Sequence, residues 1–336
     1  ILICEYAIGR GSNKSLGSAF KMLSPEGTRW HHFRWVAYAG NYLLMMFYTM
    51  VAGWMLNYFV YSLTGQLSGK NVEQIGGELL STPSVMIFWT LVVVVISILV
   101  CSLGLQKGVE KISKVMMILL FALMIIMAVN SLLLDGSSEG LKFYLVPDFS
   151  KMKEQGIGNV VFAAMSHAFF TLGLGIGSME IFGSYLSRDC KLTGESINVV
   201  ILDTVVALTA GIIIIPACFA YGINPGAGPS LLFITLPNVF NQMPGGVIWE
   251  VLFFIFMAFA ALSTVIAVYE NIIAMTMDLF NCSRKRASLV NLFVISVLCM
   301  PAVLGYNVLS GVQPLGAGTT IMDLEDFIVS YNILPL

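Results

Sequence analysis

The sequence predicts an all-α polytopic membrane protein, and three observations carry that reading. Of 336 residues, 57% are hydrophobic and only 11% are charged, against about 25% charged in soluble domains; mean hydropathy is +0.86. The apolar residues gather into runs long enough to cross a bilayer, which takes about 20 residues as helix. Lys and Arg are divided unevenly between the loops that join those runs.

Seven runs qualify as full spans, near 36–62, 84–104, 115–134, 158–187, 197–221, 247–280 and 290–306. Before them, Ile1–Ile8 is apolar, interrupted by Glu5 and too short to span. It reads as the cytoplasmic end of a cut helix, not a signal peptide, which needs a charged start and a cleavage site. At the other end, Asp326–Leu336 stops inside a further apolar run, so the chain is expected to be a fragment. Alternating the spans puts thirteen of the seventeen Lys and Arg on one side: Arg10, Lys14, Lys21, Arg29 and Arg34, then Lys107, Lys111 and Lys114, then Arg188 and Lys191, then Arg284, Lys285 and Arg286. The positive-inside rule makes that side cytoplasmic. The loops at 9–35, 105–114, 188–196 and 281–289 therefore face the cytoplasm of a multi-pass inner-membrane protein. Only Lys70, Lys142, Lys151 and Lys153 fall outside.

The span at 36–62 holds Tyr48 among Met45, Met46 and Met50, with Asn41 and Asn57 nearer its ends. A buried tyrosine needs a partner for its hydroxyl, and a bond to a neighbouring helix is the plain reading. The stretch 158–187 is different. Its middle is Gly173-Leu174-Gly175-Ile176-Gly177, and each glycine costs a helix about 1 kcal/mol against alanine. Broken backbone at membrane depth survives only where protein buries it or it lines a polar cavity. The stretch thus reads as two half-helices with an unwound joint, flanked by Ser166, His167, Thr171 and Ser178. Freed carbonyls there can hold a cation, and a half-helix N-terminus can face an anion. A bent helix with glycines for close packing is the other reading.

Between the spans, residues 63–83 are polar and glycine-bearing, and 135–157 mix acids with lysines. Residues 222–246 are punctuated by Pro and Gly yet apolar in the middle, which suggests an external segment packed into the protein as a lid of short helices. A membrane-surface segment is the alternative.

Asp203 lies well inside the span at 197–221. A carboxylate in a membrane helix is costly and by default functional; it can hold a cation, carry a proton or pair with another charge. In the span at 247–280, Ala260, Ser263, Thr264 and Ala267 share one helical face. Their oxygens suit a hard monovalent cation, although back-bonding to the helix explains such hydroxyls equally. Glu270 is a further intramembrane carboxylate.

What is absent narrows the classes. The six cysteines are scattered, without a CxxC pair or a His/Cys cluster, so neither a disulfide framework nor a zinc site is indicated. A net charge of −2 without a large basic patch offers nucleic acid no footing. An intramembrane enzyme built on His167 would need an activated nucleophile with an oriented base, and none is apparent. Three helices offering oxygen ligands, one of them broken, favour ion-coupled transport over catalysis.

Several stretches are familiar together: EYAIGRGS (5–12), GLQKGVEKISKVMM (104–117), HAFFTLGLGIGSMEIFGSYLS (167–187), GPSLLFITLPNVFNQMPGG (228–246), FAALSTVIAVYENIIA (259–274) and MDLEDFIVSYNILPL (322–336). In order and over essentially the whole chain, they resemble the neurotransmitter:sodium symporter family, most closely its bacterial sodium-dependent amino-acid transporters. The resemblance implies a leucine-transporter-like five-plus-five inverted repeat. Residues 1–134 would be a remnant of the first repeat (helices two to five), 135–157 an external loop, and 158–336 a truncated second repeat (helices six to ten). The family's first helix, which also supplies ligands, would be missing.

Residue by residue, the resemblance implies that Tyr48 hydrogen-bonds the substrate carboxylate and that Leu44, Gly173, Ile176 and Val268 line the side-chain pocket, Thr264 beside them. Phe170 would be the aromatic lid. Thr171 and Asp203 would serve a first sodium site; Ala260, by its carbonyl, with Ser263 and Thr264 would serve a second. Tyr48, Phe170 and Asp326 would form the outer gate. The implied activity is inward, sodium-coupled symport of a neutral, hydrophobic amino acid by alternating access. The implied partners are that amino acid, the lipid bilayer and a second copy of the chain. The alternatives are a proton-coupled amino-acid permease and a non-transporting receptor or channel on the same scaffold.

Departures from the family pattern shape three further expectations. Asp203 stands where Asn is usual, Ala207 where a serine or carboxylate tied to chloride is common, and His167 where Gln is usual. A fixed carboxylate at 203 would replace chloride, so chloride is not expected to be required, and protonation of Asp203 or His167 is expected to affect the return step. Gly108 is present, but Ile118 replaces the proline expected in the fifth helix. Gly173, in place of a common serine, removes bulk beside the pocket and admits a larger substrate, up to an aromatic side chain.

Overall fold

The computed structural model describes residues 1–104, 110–222 and 231–335, apart from the Thr235 side chain. Among the described residues every regular element is helical. Among the described residues six helical segments are long and apolar enough to cross a membrane: Trp30–Leu63, Pro83–Ser102, Glu110–Leu132, Leu192–Ala220, Gly246–Phe280 and Arg284–Leu304. A seventh crossing is shared by two short helices. The expected spans are thus present, with one systematic shift: several begin earlier than hydropathy suggests. Helices at Glu110, Leu192 and Arg284 begin five or six residues before the apolar runs alone would place them, because polar first turns continue the backbone hydrogen-bonding of a buried helix into the loop.

The principal helices are α1 (Leu2–Ser12), α2 (Leu16–Leu23), α3 (Phe33–Leu63), α4 (Val72–Ser81), α5 (Pro83–Ser102) and α6 (Glu110–Leu132). The short α7 (Ser137–Leu145) and α8 (Phe149–Gln155) fill the loop that follows. Next come α9 (Ile157–Thr171), α10 (Ser178–Tyr185), α11 (Leu192–Ala220), α12 (Leu236–Gln242), α13 (Gly246–Phe280), α14 (Arg284–Leu298), α15 (Met300–Leu304) and α16 (Ile321–Ile328). Pro301 opens α15, so the last crossing is divided in two. Helix α6 runs unbroken through Ile118, which is exposed; Lys107 and Gly108 lie outside the described residues.

The core is the pair α3 and α13, the most extensively packed elements. Met45, Met50, Tyr58, Phe253, Phe254 and Tyr269 are buried there. Several polar side chains of this pair find partners across helices, while the Trp54 indole N–H, the Asn57 amide and the Tyr58 hydroxyl have none among the described residues. Thr49 and Tyr269 share a hydrogen bond of 2.9 Å. Tyr38 meets Thr276 at 2.7 Å, Asn291 donates to Thr276 at 3.0 Å, and Tyr42 donates to Asn291. Helix α11, in contrast, is mostly exposed along Ile201, Leu202, Val205 and Leu208. An apolar helix face without protein cover is what a lipid-facing crossing requires.

The positive loops meet at one end of the bundle. Arg10 donates to the Cys190 carbonyl at 2.7 Å, Ser15 donates to Asp278 through both its N–H and hydroxyl, and Arg284 donates to the Cys101 carbonyl at 3.1 Å. Loops at the opposite end also interlock: Asn241 donates to the Leu67 carbonyl and Asn307 to the Leu80 carbonyl, both at 3.1 Å. The apolar stretch within 222–246 packs inward there, as a π-helical turn over Leu231–Thr235 followed by α12, with Leu236, Val239 and Phe240 buried. Residues 223–230 of that loop lie outside the described residues.

Candidate functional site

The broken crossing is where the sequence places it. Helix α9 stops at Thr171 and α10 starts at Ser178. Between them Gly173, Gly175 and Gly177 adopt φ of +60°, +89° and +77°, the left-handed region in which glycine alone is unstrained. Gly175 also has no room for a side chain, since a Cβ would lie 2.5 Å from the Leu334 carbonyl oxygen.

Three elements hold the joint open. Glu5 of α1 accepts the Gly175 N–H at 2.7 Å. Asn41 of α3 and Asn271 of α13 donate to the Ile176 carbonyl at 2.8 and 3.3 Å, and Asn271 donates to Asn41 at 3.0 Å. Unwound backbone groups are thereby paired with side chains instead of helix neighbours. None of the three was assigned a role from sequence. Glu5 appears there as an interruption in an end segment and Asn41 as a residue near a span terminus, because pairing across more than 100 positions leaves no local signal.

Beside the joint lies a cavity of about 420 Å³. Its walls include Leu44 and Tyr48 from α3, Phe170, Thr171 and Gly173 from the broken crossing, and Ser263, Thr264 and Val268 from α13. Most of the expected site residues are therefore brought together. Tyr48 and Phe170 face one another with ring centroids 6.5 Å apart. Ile176 is an exception: it is fully buried under the joint, and its carbonyl is bound as above. The cavity also takes in His167, Leu172, Ser178, Met179, Phe182 and Ala267. Met179 and Phe182, three positions apart on α10, could have been found by extending the helical period past the glycines.

Thr171 donates its hydroxyl to Asp203 of α11 at 2.8 Å. That bond joins two helices at the negative end of α9, where the helix dipole favours a cation. On α13, Ser263 and Thr264 both donate to the Ala260 carbonyl, at 2.8 and 3.3 Å. The back-bonding arrangement is thus the one adopted, and it groups three oxygens within one turn. Asp326 stands apart from the main cavity. It accepts from Ser330 at 2.6 Å and lines an adjoining space of about 220 Å³ that shares His167 and Phe170 with the first.

Glu270 is not a free carboxylate. It is fully buried and held by Arg284 through two bonds of 2.7 and 2.8 Å, with Tyr185 donating at 3.1 Å. The pair closes the end of the bundle on which the positive loops meet.

Residues 69–322 match the model of the "Sodium:neurotransmitter symporter family". The chain is 35% identical over its whole length to the "uncharacterized sodium-dependent transporter YhdH" of Bacillus subtilis (strain 168), covering 73% of that protein. It is 27% identical to the "sodium- and chloride-dependent taurine transporter" of Bos taurus over 71% of this chain and 39% of that one. Among solved structures, MhsT in complex with L-phenylalanine superposes with a TM-score of 0.91 at 37% identity, over 99% of this chain and 75% of MhsT.

Proposed function

The chain belongs to the sodium:neurotransmitter symporter family, and from that premise we propose that it carries a neutral, hydrophobic amino acid into the cell together with sodium. It is a membrane-embedded, sodium-dependent secondary transporter, not an enzyme. The observation that supports the finer reading is the cavity at the joint: one apolar side (Leu44, Val268), one tyrosine hydroxyl, and two groups of oxygen ligands at its edge.

In this reading Tyr48 donates to the substrate carboxylate, and Leu44 and Val268 accept its side chain. Ile176, fully buried and outside the cavity lining, supports the joint without touching the substrate. Gly173 leaves space for a ring, and Phe170 closes over it. Thr171 and Asp203 ligate one sodium ion. Ala260, Ser263 and Thr264 ligate the other, their hydroxyls turning from the Ala260 carbonyl to the ion. The joint's exposed dipoles suit a zwitterion, since the start of α10 attracts the carboxylate and the end of α9 the cations. The likeness to MhsT, which is complexed with L-phenylalanine, supports an aromatic substrate. Asp203 supplies a fixed negative charge, and chloride is then not needed. Residues 1–134 and 158–336 would form the two halves of the inverted repeat, and 135–157 the external connection.

The test is uptake of labelled L-phenylalanine into proteoliposomes with and without a sodium gradient. Saturable, sodium-driven uptake that neutral hydrophobic amino acids compete for is the expected result. Uptake driven by a proton gradient instead would reassign Asp203 as a proton carrier, and binding without uptake under either gradient would favour a receptor.

A further inference from the structure

Two acids meet where α1 packs on α10. Glu5 and Glu180 are only 9% and 1% exposed. Each keeps one sealed oxygen without a partner among the described residues, Glu5 Oε2 and Glu180 Oε1. The helices that carry them pack backbone to backbone. A Cβ on Gly9 would lie 1.9 Å from the Glu180 carbonyl oxygen, and one on Gly183 would lie 2.6 Å from the Tyr6 Cα.

The two carboxyls stand differently toward the joint. Glu5 accepts the Gly175 N–H at 2.7 Å. The N–H groups of Met179 and Glu180, in the first turn of α10, also face its carboxyl. That is the positive end of a helix, where an anion is stabilised. The buried oxygen of Glu180 receives no donor, and the nearby charge that acts on this side chain is Glu5 itself.

No counter-charge reaches either group. Among the described residues the ion pairs are Lys14–Asp278 and Arg284–Glu270. On α1, Cys4 is exposed, Tyr6 turns to the Met179 sulfur at 3.7 Å and Arg10 to the Cys190 carbonyl. Tyr185 of α10 turns to Glu270, and Lys21 of α2 is exposed. Glu195 and Asp203 of α11 add only negative charge, and the amino group of exposed Ile1 makes no ion pair within 4 Å. Two ionised carboxylates confined without water or a cation are strongly disfavoured. Neither acid lines the cavity at the joint, and oxygens with no exposed surface leave no place for a hydrated ion. A proton needs no space.

We propose that Glu5 and Glu180 form a one-proton binding site beside the joint, with Glu5 ionised on the start of α10 and Glu180 holding the proton. Loss of that proton sets a second negative charge against Glu5 inside the α1–α10 contact. The proton thus latches α10 to α1 and keeps Glu5 on the Gly175 N–H.

A proton held by the folded protein but not by the unfolded chain is a stabilisation lost as pH rises. The experiment records thermal unfolding midpoints of the purified full-length protein in detergent between pH 6 and pH 9, with infrared spectra of the same samples. The wild-type midpoint is expected to fall by about 5 °C or more over that range. Glu250 and Glu325 are also buried acids with unpartnered oxygens, so the comparison between variants is the readout. Glu180→Gln, which imitates the protonated acid, should match wild type at pH 6 and exceed it at pH 9. Glu180→Leu should likewise lack the alkaline fall. Glu5→Gln, which keeps an acceptor for Gly175 but removes the neighbouring charge, should show a smaller fall than wild type. The wild-type minus Glu180→Gln infrared difference at pH 6 should contain a protonated-carboxyl carbonyl band. The same alkaline fall in wild type and both Glu180 variants, an undiminished fall in Glu5→Gln, or no such band would overturn the proposal. None of these readouts involves uptake, so their failure is distinct from a failure of the transport reading.

Discussion

Asp203 and Tyr48 ask the most of single side chains. Asp203 is half-buried in a membrane-crossing helix and receives only the Thr171 hydroxyl among the described side chains. A carboxylate in that position is stabilised by a bound cation more than by one neutral donor. Asp203→Ala is therefore expected to raise the sodium concentration for half-maximal uptake about tenfold or more, as loss of a charge-assisted interaction of about 1.5–3 kcal/mol implies. Sodium titration of initial uptake rates checks it, and an unchanged midpoint would remove Asp203 from the ion site. Tyr48→Phe deletes one hydroxyl and keeps the ring that faces Phe170. Its expected effect is a rise of about 10- to 100-fold in the substrate concentration for half-maximal uptake, with the sodium midpoint little moved. Of these residues, Asp203 was conspicuous in the sequence because charge is rare at membrane depth. Tyr48 acquired a role only through the family resemblance, since a tyrosine in an apolar helix is otherwise explained by a structural hydrogen bond.

At the scale of elements, the broken crossing and the Glu270–Arg284 closure stand out. Gly175 combines a φ of +89° with a backbone oxygen where a Cβ would go. Gly175→Ala is expected to destabilise the protein by about 1–3 kcal/mol from backbone strain alone, with the clash added, and to lower its thermal unfolding midpoint. A midpoint equal to wild type would mean that the joint relaxes freely. For the closure, Arg284→Ala leaves a fully buried carboxylate facing only Tyr185 and is expected to cost about 3–5 kcal/mol. Adding Glu270→Gln should recover much of that loss, because the uncompensated charge is gone; a double variant no more stable than the single one would contradict it. The break was legible as one of two readings, since three alternate glycines in an apolar run suit either an unwound joint or a bent, closely packed helix, and the structure adopts the first. The closure was not: Arg284 is fourteen positions from Glu270, in what hydropathy reads as a loop.

Across the whole molecule, the proposed substrate cavity takes in Thr171 on one side and Ser263 and Thr264 on another, so in the proposed reading substrate and sodium binding are expected to be coupled. The coupling is reciprocal: the factor by which saturating sodium tightens L-phenylalanine binding should equal the factor by which L-phenylalanine tightens sodium. Calorimetric titrations in both orders measure the two factors, and unequal values would exclude a single coupled equilibrium. Replacing chloride with gluconate is expected to leave sodium-driven uptake intact, and loss of uptake would mean that Asp203 does not supply the balancing charge. Taken alone, the sequence determined the membrane class, the number of crossings, the broken helix and the side on which the positive loops gather. Those features are written in local composition and period, because a lipid-facing helix must be apolar along its length and a joint needs glycine where it turns. Tertiary structure decided which of the many polar residues in those helices work together. Asn41 with Asn271 at the Ile176 carbonyl, Glu5 at Gly175 and Arg284 at Glu270 all depend on side chains brought into contact across the bundle. Such pairings are set by how α3 and α13 pack, and no local pattern in the chain encodes that distance.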